Sequence, residues 1–213
     1  QPPPARGGGG NGNQRLRLLF VSPRFLFPMD QGGKIRSGNT LMGMKGGAFE
    51  LTMASPAPAD VARYAADIAA ACDHFVSWPE EAPSRIRRAL ALGSSLPVAV
   101  ATDRSTTGSA CIAAALAEKP DVVVVDFPHA DVLMPPRIDG ARVMFTHNVE
   151  AEIFERHAAR ATEVWKLGWA NPSRKMTRFE CEHLRRVATV IQGRNRDPTA
   201  CPRPSPLSAR AGM

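Results

Sequence analysis

Three short stretches of this chain combine reactive side chains with a local pattern that would hold them in place. The first is Phe145-Thr-His147-Asn148-Val-Glu150-Ala-Glu152, where an apolar run stops at an imidazole and an amide. Asn148 is a good N-cap, and Glu150 and Glu152 then fall in the first turn of a helix, where acids favour the dipole. Capping gives no reason for an imidazole before the cap. His147 is therefore the candidate catalytic residue, able to donate a hydrogen bond or carry charge near neutral pH. Asn148 beside it is a candidate substrate contact, and a purely structural histidine is the alternative.

The second stretch is Ser22-Pro-Arg-Phe-Leu-Phe-Pro-Met-Asp-Gln-Gly32-Gly33-Lys34-Ile-Arg36, between an apolar run and a weakly periodic one. Glycines where a strand turns into a helix let backbone N–H groups approach an anion, and the helix start adds partial positive charge. Gly32, Gly33 and Lys34 are accordingly candidate substrate-binding residues, although a tight turn would use the same two glycines. The pattern is neither Gly-x-Gly-x-x-Gly nor a Walker loop, so ordinary dinucleotide or P-loop binding has no specific support. The third stretch is Asp126-Phe-Pro-His129, at the end of the run Val122–Val125. A strand-end aspartate capping the following loop accounts for Asp126, and an acceptor-side contact is the alternative, because the segment shares the expected sheet edge with His147. No Gly-x-Ser-x-Gly elbow, His-Glu-x-x-His pair or spaced carboxylate pair is present, which removes support for hydrolase and metal readings.

The elements that must position these groups alternate. Leu18–Ser22, Leu51–Ala54, His74–Ser77, Asp121–Asp126, 142–146 and Ala188–Ile191 read as strands. The unbroken β-branched run at 122–125 indicates burial on both faces, as in a parallel sheet. Helices are expected around Ile35–Met42, Val61–Ile68, Ile86–Leu92, Ser109–Glu118, 149–166 and 173–187, while Leu96–Ala101 reads equally as strand or extended loop. Strands separated by helices give an α/β fold: a Rossmann-like, doubly wound, mostly parallel sheet with helices on both faces. A single domain over 16–191 is expected, flanked by disordered tails at 1–15, rich in Pro and Gly, and at 192–213, rich in Pro and Arg. The abrupt change after Ile191 suggests a domain cut off mid-course by truncation or frameshift; a natural tail is the alternative.

The formal net charge of +7 invites a nucleic-acid reading until the excess is located. Residues 1–17 carry +3 and residues 192–213 another +3, leaving the body near neutrality. Nucleic-acid binding wants a basic patch on a folded face, so no nucleic-acid partner is expected. Four cysteines, far apart and without a Cys-x-x-Cys pair, read as reduced thiols. With no run of about 18 apolar residues and no signal-peptide h-region, the expected location is cytoplasmic. Arg185 and Arg186 form a solvated helix face or a peripheral contact with the inner face of an anionic membrane. Trp165 and Trp169 pack or mark an interaction surface.

Leu18-Leu-Phe-Val-Ser-Pro-Arg24 with Pro28-Met-Asp-Gln-Gly-Gly-Lys-Ile-Arg36 resembles the first strand and Gly-rich loop of family 4 glycosyltransferases. Phe145-Thr-His-Asn-Val-Glu-Ala-Glu152 is similar to their strand-end histidine segment, and the closing helix with Arg178-Phe-Glu-Cys-Glu182 to the last helix of their N-terminal domain. The resemblance spans about residues 16–191. It implies a GT-B enzyme, with two Rossmann-like domains enclosing a nucleotide-sugar, retention of configuration and no obligatory metal or other cofactor. Gly32 and Gly33 would then serve the diphosphate and His147 the donor sugar. The acceptor would be a glycan, lipid or small molecule. The family's second domain has no counterpart here, so the resemblance implies an N-terminal half that is inactive alone. A noncatalytic α/β binding module, or half of a split enzyme whose partner chain supplies the second domain, is the alternative.

Overall fold

The computed structural model describes residues 15–81 and 96–146 continuously, and beyond them 175–176, 178–179, 182–183, 187 and 189–192. Six strands form one sheet: β1 (Leu16–Val21), β2 (Phe49–Ala57), β3 (His74–Pro79), β4 (Val122–Asp126), β5 (Ala141–Thr146) and β6 (Thr189–Gln192). Their order is β3-β2-β1-β4-β5-β6, and every pairing is parallel. Between them run α1 (Gly32–Met44), α2 (Ala65–Ala71, entered through a 3-10 turn at Val61–Tyr64), α3 (Val98–Asp103), α4 (Thr106–Ala117) and the single turn α5 (Phe127–Ala130). This is the doubly wound α/β arrangement expected of the sequence, in the strand order of dinucleotide-binding folds.

The strands are apolar on both sides because both sides are covered, and successive residues point to opposite faces. Leu18, Phe20, Leu51, Met53, Val124 and Phe145 face Leu41 of α1, the loop residues Phe25, Leu26 and Phe27, and Tyr64 and Ile68. Leu19, Val21, Ala54, Val123, Val125 and Met144 face Ile112 of α4, Trp78, Ala130 and Leu133. Each such side chain contributes about 1.5–3 kcal/mol through burial. Phe25 meets Phe27 and Tyr64 edge-on at centroid distances of 5.7 and 5.3 Å, which anchors the loop leading into α1.

The rim where the strands begin is tied by ionic and backbone contacts. Arg17 donates from its guanidinium to Glu118 O at 2.6 Å and Lys119 O at 2.7 Å, the spent end of α4, while its N–H donates to Asp121 Oδ2 at 2.8 Å. Lys119 ends that helix with φ 53°, in the left-handed region usual after a helix C-terminus. Asp73 accepts from Leu51 N–H at 2.8 Å and lies 3.0 Å from Lys45 Nζ and 3.7 Å from Arg15. The Leu51 N–H first, then Lys45 and Arg15, hold its carboxyl below the usual carboxylate range against the opposing effect of burial.

One expected element changes type. Leu96–Ala101, read as strand or extended loop, contributes to helix α3. Pro97 provides the entry with φ −56°, and Val100 is fully buried against Met176 and Phe179. Six residues are too few to display a helical period, so packing with the distant segment decides the matter. The helices expected at 86–92 and 149–166, both tails apart from Arg15 and Gln192, Trp165, Trp169, Arg185 and Arg186 lie outside the described residues. No described helix is long and apolar enough to cross a membrane.

Candidate functional site

The winding reverses between β1 and β4. From β1 the chain passes through α1 on one face to β2, whereas α4 delivers it across the other face to β4. At such a point the helices diverge and leave a crevice at the carboxyl ends of the strands. Helix α1 starts there. Its N-cap, Gln31, makes no side-chain capping bond, and no acid occupies the first turn. The first helical bond runs from Ile35 N–H to Gln31 O at 2.9 Å, so the N–H groups of Gly32, Gly33 and Lys34 stand outside the ladder. By contrast, Ser105 caps α4 through Gly108 N–H at 3.0 Å.

The two glycines differ in their surroundings. A Cβ on Gly33 would lie 3.3 Å from the Phe127 ring, so close approach explains that residue. A Cβ on Gly32 would meet nothing within 4 Å. Neither packing nor a positive φ requires glycine at Gly32. Lys34 is less available, because its ammonium pairs with Asp30 at 3.2 Å.

The end of β4 closes the crevice. Asp126 is 1% exposed, and its Oδ2 accepts from Ser22 Oγ at 3.1 Å and Ser37 Oγ at 2.9 Å. It makes no side-chain cap of the turn that follows, which corrects the capping role expected from the sequence. The carboxylate instead ties the end of β4 to the end of β1 and to α1, across 104 and 89 residues of chain. Phe127 follows with φ 68°, a conformation costly for a residue with a Cβ and found at positions the surroundings over-determine. Beside it in the sheet, Phe145 of β5 carries the Arg36 guanidinium at 6.0 Å from its ring centroid. The structure thus brings the Gly32–Gly33 turn beside the ends of β4 and β5. His147 and Asn148 lie outside the described residues, one position past Thr146.

On the other side of the β1 end a cleft of about 620 Å³ opens over β2 and β3. Its lining includes Arg24, Trp78 and Glu80, together with Thr102, Asp103 and Arg104 where α3 ends. A second hollow of about 310 Å³ shares Arg24 and Glu80 and reaches Gln31 and Lys34 at the start of α1. The two hollows therefore form one rim that leads from the cleft to the open helix.

His129 of α5 backs the cleft wall. It is 9% exposed, with Nδ1 3.3 Å from Asp103 Oδ2. Neither that oxygen nor His129 Nε2 makes a hydrogen bond, and Thr146 Oγ1 at the end of β5 is in the same condition. Elsewhere, buried Asp131 contacts the Arg142 guanidinium and lies 3.3 Å from His183 Nε2, while His183 Nδ1 faces Phe179 O at 2.8 Å. That cluster fastens the closing helical segment to the sheet. Among the described residues no group of three His, Cys, Asp or Glu side chains could hold a metal ion.

Ser22, Ser37 and Asp103 were not among the sequence candidates, and Asp126 carried a different role. Their partners are remote in the chain, so no local spacing marks them. Ser105 was the one usable clue, since a serine before an Ala-rich helix reads as an N-cap and places Asp103 just outside it. Comparison with known proteins adds no family: no family model matches the chain, and no curated protein matches its sequence.

Proposed function

We propose that this chain is the N-terminal, acceptor-side half of a retaining GT-B sugar transferase that uses a nucleotide-sugar donor. The observation that carries the reading is the uncapped, acid-free start of α1 at the switch point of the parallel sheet, opened by Gly32. Backbone N–H groups at such a helix start favour phosphate oxygens through both hydrogen bonding and the helix dipole. In the transfer, the acceptor hydroxyl oxygen bonds to the anomeric carbon as that carbon's bond to the diphosphate breaks. The electron pair and the hydroxyl proton both go to the leaving diphosphate. Gly32 and Gly33 stabilise the charge that develops there, and His147 contacts the donor sugar.

The same geometry argues that this half does not suffice. A nucleoside diphosphate brings about two or more negative charges, whereas Lys34 is engaged with Asp30 and Arg36 lies over the Phe145 ring, which leaves Arg24 of the adjoining hollow. Further cations from a second Rossmann-like domain, in the same or a partner chain, complete the diphosphate site. Titration of the chain with UDP and GDP tests the reading, with weak binding expected. Gly32→Asp places a carboxylate at the open helix start and is expected to abolish that binding while the fold persists. Undiminished binding by this variant defeats the assignment of the site, and sugar transfer by the chain alone defeats the two-part requirement.

A further inference from the structure

We infer that the 620 Å³ cleft seats a small, uncharged polyhydroxylated acceptor, with Asp103 receiving a hydrogen bond from its hydroxyl and His129 positioning Asp103. This rests on the transferase reading for the acceptor's role, but the binding claim stands on its own observations. The first is size: about 620 Å³ falls within the range of small-molecule sites and suits a molecule of one or two sugar rings. The second is the lining. Arg24, Glu80 and Asp103 in the lining offer donors and acceptors together. A hydroxyl is one of the few groups that uses both at once.

Pro23, Pro56, Pro79 and Val98 give the cleft apolar walls that suit the faces of a sugar ring, but a long alkyl chain is a poorer occupant. Trp78 is only 4% exposed, with its ring turned against Gly108, where a Cβ would sit 2.8 Å from it. Little aromatic face remains for the cleft, and a lipid tail would strip water from Arg24, Glu80 and Asp103 without replacing its hydrogen bonds. The third observation is the Asp103–His129 pair itself. Two buried polar atoms, Asp103 Oδ2 and His129 Nε2, make no hydrogen bond although they belong to groups in contact. Unmet buried atoms of this kind cost about 1–3 kcal/mol each and call for a reason.

Their position supplies one. His129 sits on the turn that begins with strained Phe127, immediately after Asp126. One short segment therefore links the carboxylate at the diphosphate crevice with the histidine behind the acceptor cleft. Asp103 touches the acceptor, and His129, buried behind it with Nδ1 3.3 Å from Oδ2, acts through Asp103 by holding the carboxylate in place by contact.

The test is saturation-transfer NMR on the full 213-residue chain with myo-inositol and methyl α-D-glucoside as probes, with UDP binding measured in the same samples. The wild-type chain is expected to bind at least one polyol. Asp103→Ala and exposed Arg24→Ala each weaken that binding about tenfold. His129→Phe weakens it several-fold, and His129→Asn, which returns an N–H toward Asp103, restores it. Folding of each variant is checked by its melting curve, and Arg24→Ala keeps the test decisive if the Asp103 variant unfolds. Lack of polyol binding, binding indifferent to Asp103 and Arg24, or preferential binding to phosphatidylglycerol vesicles overturns the inference. UDP binding without polyol binding sinks this inference alone, whereas Asp103-dependent polyol binding without UDP binding sinks the transferase reading alone.

Discussion

The two rims of the sheet treat their polar groups in opposite ways. Where the strands begin, Asp73 accepts a backbone N–H and faces two cations, and Arg17 satisfies two helix-end carbonyls. Where they end, Asp103 Oδ2, His129 Nε2 and Thr146 Oγ1 are buried without a hydrogen bond, and the first N–H groups of α1 are uncapped. Both rims belong to one sheet with one core, so the difference is not a matter of general packing quality. On the first rim Asp73 and Arg17 are engaged within the fold, and the second holds three buried side-chain atoms without a hydrogen bond.

Asp126 puts that contrast under the greatest strain, because it is a hydrogen-bonded carboxylate on the rim that holds those three atoms. Asp126→Ala removes the carboxylate that accepts from the Ser22 and Ser37 hydroxyls and is expected to lower stability by about 2–3 kcal/mol, read from urea unfolding. A loss below that of Asp73→Ala would break the claim that Asp126 is the rim's structural anchor. Asp73→Ala is expected to cost about 1–2 kcal/mol, reduced by solvent screening of its partly exposed ion pairs.

That contribution also carries a pH signature. The folded carboxyl of Asp73 lies below its ordinary value of 3.8, so the stabilisation is complete above that value and is lost as pH falls through the folded pKa. Acid unfolding curves should show the loss below about pH 4, and Asp73→Ala should flatten that part of the curve.

Thr146→Val tests the opposite rim. Removing a buried hydroxyl that has no partner is expected to raise stability by about 1 kcal/mol, and a loss of that size would show that the hydroxyl is satisfied in solution. The smallest effect belongs to Gly32→Asp. A carboxylate in the first turn favours the helix dipole by about 0.5 kcal/mol, so this variant should melt slightly higher even as UDP binding disappears. If stability and binding fell together, the open helix start would be a structural feature and not a binding one.

Much of the architecture was legible because burial on two faces leaves a strong mark. Val122–Val125 needs no context to be read as a central strand, and the placement of Gly32–Gly33 between strand and helix follows from the apolar runs around it. The candidate site was legible only where its chemistry is local. Asp126 exerts its effect through Ser22 and Ser37, and Asp103 through His129. Such partnerships exist only after the sheet has assembled. Asp103 was further concealed because its helix is six residues long and owes its form to Met176 and Phe179. Short elements held by distant packing carry little periodic signature of their own.

The central position of β1 has a consequence for how the chain comes to be folded. Its neighbour on one side, β2, begins within a few dozen residues, but its other neighbour pairs Leu18 with Val122. During synthesis at about 5–20 residues per second, roughly 5–20 s separate the two strands. Through that interval β1, β2 and β3 can associate while one edge of β1 exposes an unbroken row of N–H and C=O groups beside apolar side chains. Such an edge invites pairing with the wrong strand, including one from another copy. The arrival of β4 ends that hazard for β1 and creates the crevice at the strand ends in the same event.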